Sequence, residues 1–212
     1  MMAPWDEPAA EEKALMKPLS RLMENPQELV IFGGEEGLAP LRLSHLAPGE
    51  KLPFHIFTSL DGVPGEFVLT WRRGQFLPKG ALDMVWGYFA VAEAGKVLSY
   101  LVSRVEVAEV SERTPQNLHL LTDTLLVWTQ HFFSHEEART PKALAEAHQL
   151  MAALGEGLKA AGNVRETAAA LRRHDSGLVG HCLNVCLLTL SFAPILAWKE
   201  EEVENLALAA LL

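Results

Sequence analysis

Cysteine is almost absent from this chain: the two that occur, Cys182 and Cys186, stand four residues apart in a segment that reads as helix. That spacing puts both on one helical face, where parallel side chains from successive turns do not meet disulfide geometry. A pair of small buried thiols is expected instead of a cross-link. Basic residues are also scarce, 18 Lys+Arg against 27 Asp+Glu for a formal net charge of -9. Such a balance repels a phosphate backbone and disfavours general nucleic-acid binding, while leaving room for a local basic pocket for a small nucleotide. The start, MMAPWDEPAAEEKALMKPL, lacks the basic n-region and continuous apolar h-region of a secretory signal, which predicts a cytoplasmic protein. Low-complexity repeats are missing too. At 49% hydrophobic and 21% charged, the 212 residues suit a folded chain of one large or two small domains.

Several common chemistries lack their motifs. Residues 28–110 hold no glycine-rich phosphate loop, and no Ser-His-Asp or Cys-His-Asn pattern stands out. His131 and His135 in HFFSHEE have the i, i+4 spacing that can place two imidazoles on one metal, but HFFSH lacks the glutamate of HExxH and a third ligand. Histidines exposed or capping near a helix end are the simpler expectation. Arg72 and Arg73, followed by Gly74, could form a small anion-binding corner at a hairpin exit; basic residues on an edge strand are the plain alternative. Charge itself is missing between Leu178 and Trp198, a run long enough for a membrane helix. Within it, however, His181, Asn184, Thr189, Ser191 and Pro194 are groups that lipid penalises. A buried helix of a soluble bundle accounts for the run, so no membrane association is expected.

What is present divides the chain into an α+β part and an all-α part. Residues 1–27, rich in Pro and Glu with a short amphipathic stretch around Ala14–Met23, read as a leader. From 28 to 110 a small α+β domain is expected, with strands in LVIF (29–32), PLRLSHL (40–46), LPFHIFTSL (52–60), EFVLTW (66–71) and YFAVAEA (88–94). DGVPG (61–65) supplies a hairpin turn, and a helix from Gly95 to Val107 closes the unit. Beyond it, Thr114-Pro115 and Thr140-Pro141 each place a capping hydroxyl before a first-turn proline, and Gly162 ends the second of these helices. Further helices are expected over 164–173, the apolar run and 200–212. The last begins with acidic residues and stops on leucines without a polar tail, as in the front part of something longer or in a segment that docks on a partner.

The stretch HDSGLVGHCLNVCLLTLSFAPILAWKEEEVENLALAALL, residues 174–212, resembles the opening of an HD-GYP domain. That bacterial branch of the HD metal-dependent phosphohydrolases hydrolyses cyclic di-guanylate. Its members open with HD and an aromatic-containing stretch, then H-S-x-N-V on a long apolar helix. An acidic helix ending A-A-L-L comes next, with the metal-binding HD-I-G-K directly after it. His174-Asp175, His181, Asn184-Val185, Glu200–Glu202 and Ala209-Ala210-Leu211-Leu212 fall in that order without a gap. By this resemblance His181 is the first histidine metal ligand, Asn184 a supporting polar residue on the same helical face, and His174-Asp175 the upstream HD, not the ligand pair. For the complete domain it implies an iron or manganese centre of two or three ions that generates hydroxide and stabilises the phosphoryl transition state.

The departures from the family pattern are several. Gly177-Leu178-Val179-Gly180 replaces the aromatic stretch, Cys182 the serine and Ala197 the inter-helix glycine, while Pro194 is expected to interrupt the first helix. The 212 residues contain no HD-I-G-K and no GYP motif. No complete catalytic set, and no cofactor, is therefore expected in this chain. Upstream, LPFHIFTSLDGVPGEFVLTWRRGQFL and YFAVAEAGKVLSYL resemble the small regulatory domain that often precedes HD-GYP domains, with His55 where an aspartate is common. Residues 111–173 would then be a helical connector, and 174–212 the start of an HD-GYP-like helical domain. The fold class expected is α+β: a small N-terminal α+β domain followed by an all-α region that begins an HD-type bundle.

Two functions compete. One is the regulatory part and first helices of a cyclic di-GMP phosphodiesterase; the other is a non-catalytic signalling or dimerisation module with a degenerate HD-like bundle. The partners implied are cyclic di-GMP as substrate of the complete domain, and a second copy through the helical region.

Overall fold

A computed structural model describes residues 30–31, 37–59, 66–107, 115–161, 163–171, 178–196 and 198–212. The leader, DGVPG, Thr114, Gly162, His174-Asp175, Gly177 and Ala197 lie outside the described residues. The chain divides into two compact units, Met1–Ala92 and Glu93–Leu212.

The first unit is built on an antiparallel sheet of β1 (Val30–Ile31), β2 (Leu38–Arg42), β3 (Ile56–Ser59), β4 (Glu66–Trp71) and β5 (Trp86–Ala90), in the order β1-β4-β3-β5-β2. The β-branched and aromatic content of IFTS and EFVLTW suits a pleated, half-buried surface. These two strands pair with Phe57 opposite Leu69 and Thr58 opposite Val68, and the register shifts between Ile56 and Phe57. In β2, Ala39 and Leu41 are buried while their neighbours are half-buried. Pro40 is tolerated because β2 is an outer strand. Leu41, Leu43, Leu52, Phe54, Ile56, Phe57 and Phe89 are fully buried. Gly87 in β5 permits close packing: a Cβ there would stand 2.6 Å from Leu43 Cδ2 and 3.0 Å from Ile56 Cγ2. The strands are shorter than the apolar runs suggest, because Leu43–His45 and Val91–Glu93 turn into 3-10 helix.

The second unit contains α1 (Ala94–Val107), α2 (Pro115–Ser134), α3 (Pro141–Ala160), α4 (Val164–Leu171), α5 (Leu178–Leu196) and α6 (Glu200–Leu211). The expected start of α3 is realised: Thr140 Oγ1 accepts from the Ala143 N–H at 3.1 Å, with Pro141 in the first turn. Asn163 Oδ1 accepts from the Glu166 N–H at 3.3 Å and caps α4. At the start of α6 the Lys199 N–H donates to Glu202 Oε2 at 3.1 Å. The helix expected to close the β region, α1, packs along α2 in this unit.

One apolar core joins five of these helices. Leu118, Leu121 and Leu125 of α2 meet Leu150, Met151, Leu154 and Leu158 of α3; Leu171 of α4, Leu183, Cys186, Leu187 and Leu190 of α5, and Val203, Ala207 and Leu211 of α6 complete it. Each fully buried leucine contributes roughly 1.5–3 kcal/mol relative to exposure. Trp128, 1% exposed, ties α2 to α3 by donating its indole N–H to Ala143 O at 3.1 Å. The mixed architecture expected from the sequence, a small sheet followed by helices, is the one observed.

Candidate functional site

Helix α5 carries the residues that the sequence singles out, and it has two distinct faces. Leu183, Cys186, Leu187, Leu190 and Ser191 recur at helical spacing and are buried. On the other side Leu178, His181, Val185, Leu188, Phe192 and Leu196 are exposed. His181 therefore projects from an uncharged, mostly apolar stripe, and Asn184, one turn on, is half-buried. The helix runs through Pro194 without the expected interruption. Proline there removes a single backbone donor, the one that would serve Leu190 O, two residues before the helix ends.

Two hydroxyls of α5 are satisfied within the helix. Thr189 Oγ1 donates to Val185 O at 3.0 Å, and the buried Ser191 hydroxyl donates to Leu187 O. These back-bonds explain how hydroxyls sit in an apolar helix without reaching another element. Both cysteines are free thiols, Cys182 half-buried and Cys186 buried. Burial pushes the Cys186 thiol up to about 12, which leaves it an inert packing group. Among the described residues no helix is long and apolar enough to cross a membrane.

The described residues do not make up a two- or three-ion centre: no three His, Cys, Asp or Glu among them come close enough to hold a metal ion. His181 can offer one ligand on an exposed face, and His174-Asp175 lie outside the described residues.

Arg72 and Arg73 sit in the first unit, on a turn closed by its own bonds. The Arg72 N–H donates to Gln75 Oε1 at 2.8 Å and the Gln75 N–H returns to Arg72 O at 3.0 Å, while the Gly74 N–H donates to Leu52 O at 2.8 Å. Gly74 has φ 81°, a left-handed conformation that glycine accepts freely. The amides of Arg72, Gly74 and Gln75 are thus used within the protein. His131 and His135 do meet, Nδ1 to Nδ1 at 3.2 Å.

Two features escaped the sequence reading. Buried Asp123, 2% exposed, lies among the buried Thr122, Thr124 and Thr129 on α2, and the TDT triplet inside a leucine-rich helix was its one visible signal. Gly95 lies against the His131 ring, a tertiary contact with no sequence signature.

No family model and no curated protein matches the chain. Among solved structures, Bd1817, described as a HDG"Y"P protein from Bdellovibrio bacteriovorus, matches with a TM-score of 0.53 at 16% sequence identity. The fold is similar to that of an HD-GYP protein. The match covers 82% of this chain and 58% of that one, so the chain spans little over half the length of its HD-GYP-like neighbour. At this identity the likeness is one of fold.

Proposed function

We propose that this chain is the N-terminal regulatory part and first helices of an HD-GYP-type cyclic di-guanylate phosphodiesterase, a cytoplasmic protein that is inactive as these 212 residues alone. The observation that carries the reading is the position of His181: it lies on the exposed stripe of α5. That residue is also the one the sequence register assigns as the family's first metal ligand. A ligand facing inward would be useless to further helices; one on an uncovered apolar face is placed to meet ligands that those helices bring. The HD-GYP-like fold supports the same reading.

In the complete domain, iron or manganese would supply the activated hydroxide and neutralise charge on the transferring phosphoryl group. The part of this chain in that chemistry is limited to presenting the His181 imidazole, with Asn184 beside it. Cyclic di-GMP is the substrate proposed for the complete domain. The first unit would be the regulatory input and α1–α4 the route to the output helices, with a homodimer through the helical region as the proposed assembly.

Hydrolysis of cyclic di-guanylate by the full-length gene product, with and without His181→Ala, tests the reading. Manganese- or iron-dependent hydrolysis that vanishes in the variant supports it. The second reading, a non-catalytic signalling or dimerisation module, draws on Cys182 and Gly177–Gly180 standing where the family pattern has serine and aromatic residues. A stop codon directly after Leu212, with no HD-I-G-K encoded, would favour it.

A further inference from the structure

A pair of imidazoles stands at the end of α2, on a different helix from His181. The His135 N–H donates to His131 O at 3.1 Å, closing the last turn. This brings the two Nδ1 atoms to 3.2 Å, with ring centroids 4.8 Å apart and the planes inclined by 49°. Two nitrogens bonded to one tetrahedral zinc at about 2.0–2.1 Å lie roughly 3.3 Å apart, with ring centres about 5.2 Å apart. The observed pair is within a few tenths of an ångström of that arrangement.

We propose that His131 and His135 form a two-imidazole site for a divalent transition ion of the zinc class, independent of the function proposed for the α5 face. The carbonyl end of α2 carries the negative end of the helix dipole and Glu137 acts on His131 from beyond it, while the Arg139 guanidinium, donating to Phe132 O at 3.1 Å and Phe133 O at 3.0 Å, adds positive charge at the same end. Burial, then the neighbouring His135, hold the His131 pKa below its ordinary value against the opposing effect of Glu137. A neutral imidazole carries one N–H and one lone pair, so Nδ1 can bind an ion once its hydrogen sits on Nε2. From α1, Gly95 comes close to the Cε1 side of the His131 ring: a Cβ there would lie 3.1 Å from Cε1, 3.2 Å from Nε2 and 3.7 Å from Nδ1. His131 Nδ1 also faces His135 Nδ1.

Binding requires one rearrangement. The two Nδ1 atoms contact each other, and His135 Nδ1 also lies 3.3 Å from His131 O; an Nδ1 that carries a hydrogen gives it to solvent while its own Nε2 takes one, so both rings stay neutral and no net proton is released. Among the described residues no third His, Cys, Asp or Glu completes the set. Water fills the remaining positions, and the ion exchanges readily.

Calorimetric titration of the metal-free 212-residue chain with zinc chloride, paired with thermal melts, tests this. The site predicts about one zinc per chain and a melting temperature that rises with zinc. Affinity should fall by about tenfold or more in His135→Ala and in His131→Ala, as expected when a directly coordinating group is lost. His148→Ala, at a histidine of α3 outside the pair, should leave it unchanged. His135 is half-exposed at the helix end, so its variant, checked for a native circular dichroism spectrum, decides the matter if His131→Ala misfolds. No zinc binding by the wild-type chain, or binding unaltered in folded His135→Ala, overturns the proposal.

Discussion

Two glycines in the same helix should respond differently to the same substitution. Gly155 and Gly157 both lie inside α3, and alanine in place of glycine in a helix interior is worth about 0.8–1.0 kcal/mol. At Gly155 the new methyl meets Leu190 Cδ2 at 3.6 Å, an ordinary contact, so Gly155→Ala should stabilise the helical unit by about 1 kcal/mol. At Gly157 it would overlap Leu118 Cδ2, and Leu118 is 2% exposed in the core between α2 and α3. Overpacking of that kind costs about 1–3 kcal/mol, so Gly157→Ala should end between roughly neutral and 2 kcal/mol destabilised. At about 4 °C per kcal/mol, Tm should rise by roughly 4 °C in the first variant and fall by up to about 8 °C in the second. Urea denaturation followed by circular dichroism at 222 nm gives the free energies directly. On a Leu118→Ala background the overlap is gone, and Gly157→Ala should then stabilise by nearly the full 1 kcal/mol. Equal stabilisation by both glycine substitutions would refute the close approach of α2 and α3 at this point.

Other expectations follow from single contacts. In native protein at pH 8 a thiol reagent should modify Cys182 and leave Cys186, whose burial pushes it up to about 12, with both reacting in denaturant; equal native rates would contradict the packing of α5. Gly87→Ala should destabilise the sheet unit by about 1–3 kcal/mol through Leu43 and Ile56, measurable by urea titration, and no loss would mean that Leu43 does not pack on β5. In metal-free buffer the folded state holds His131 below its ordinary value of 6.5, so it binds fewer protons there than the unfolded chain. That contribution to stability is complete above pH 6.5 and is lost as pH falls through 6.5 toward the lowered folded value. His131→Asn should flatten this part of the stability-pH curve, and an unchanged slope counts against the assignment.

The fold was legible where composition and turn signals were strong. The β-branched and aromatic runs of β3 and β4, the Thr140-Pro141 start of α3 and the uncharged run of α5 could all be read from local chemistry. Strand ends were not, because no glycine or proline marks Leu43–His45 or Val91–Glu93, where the chain leaves the strands as 3-10 helix. Pro194 was read as an interruption because proline disfavours helix locally, yet α5 continues through it to Leu196. The apolar end of α6 is partly accounted for by Val203, Ala207 and Leu211, which enter the core, while Leu206 and Leu212 remain exposed. For the candidate site, spacing placed His181 and Asn184 one turn apart. It could not tell which face of α5 the core would take, since every position from Leu178 to Leu196 is uncharged. The Gly95–His131 contact joins residues distant in sequence and left no local trace.

The central claim is that the α5 face bearing His181 is one side of an HD-type metal centre. The most direct measurement is manganese- or iron-dependent hydrolysis of cyclic di-guanylate by the full-length gene product, compared with its His181→Ala variant at equal fold content. The account predicts turnover by the former, loss of bound metal and of turnover in the latter, and no turnover by the 212 residues alone. Turnover that survives His181→Ala unchanged, or a full-length product that neither binds metal nor hydrolyses the dinucleotide, would contradict it.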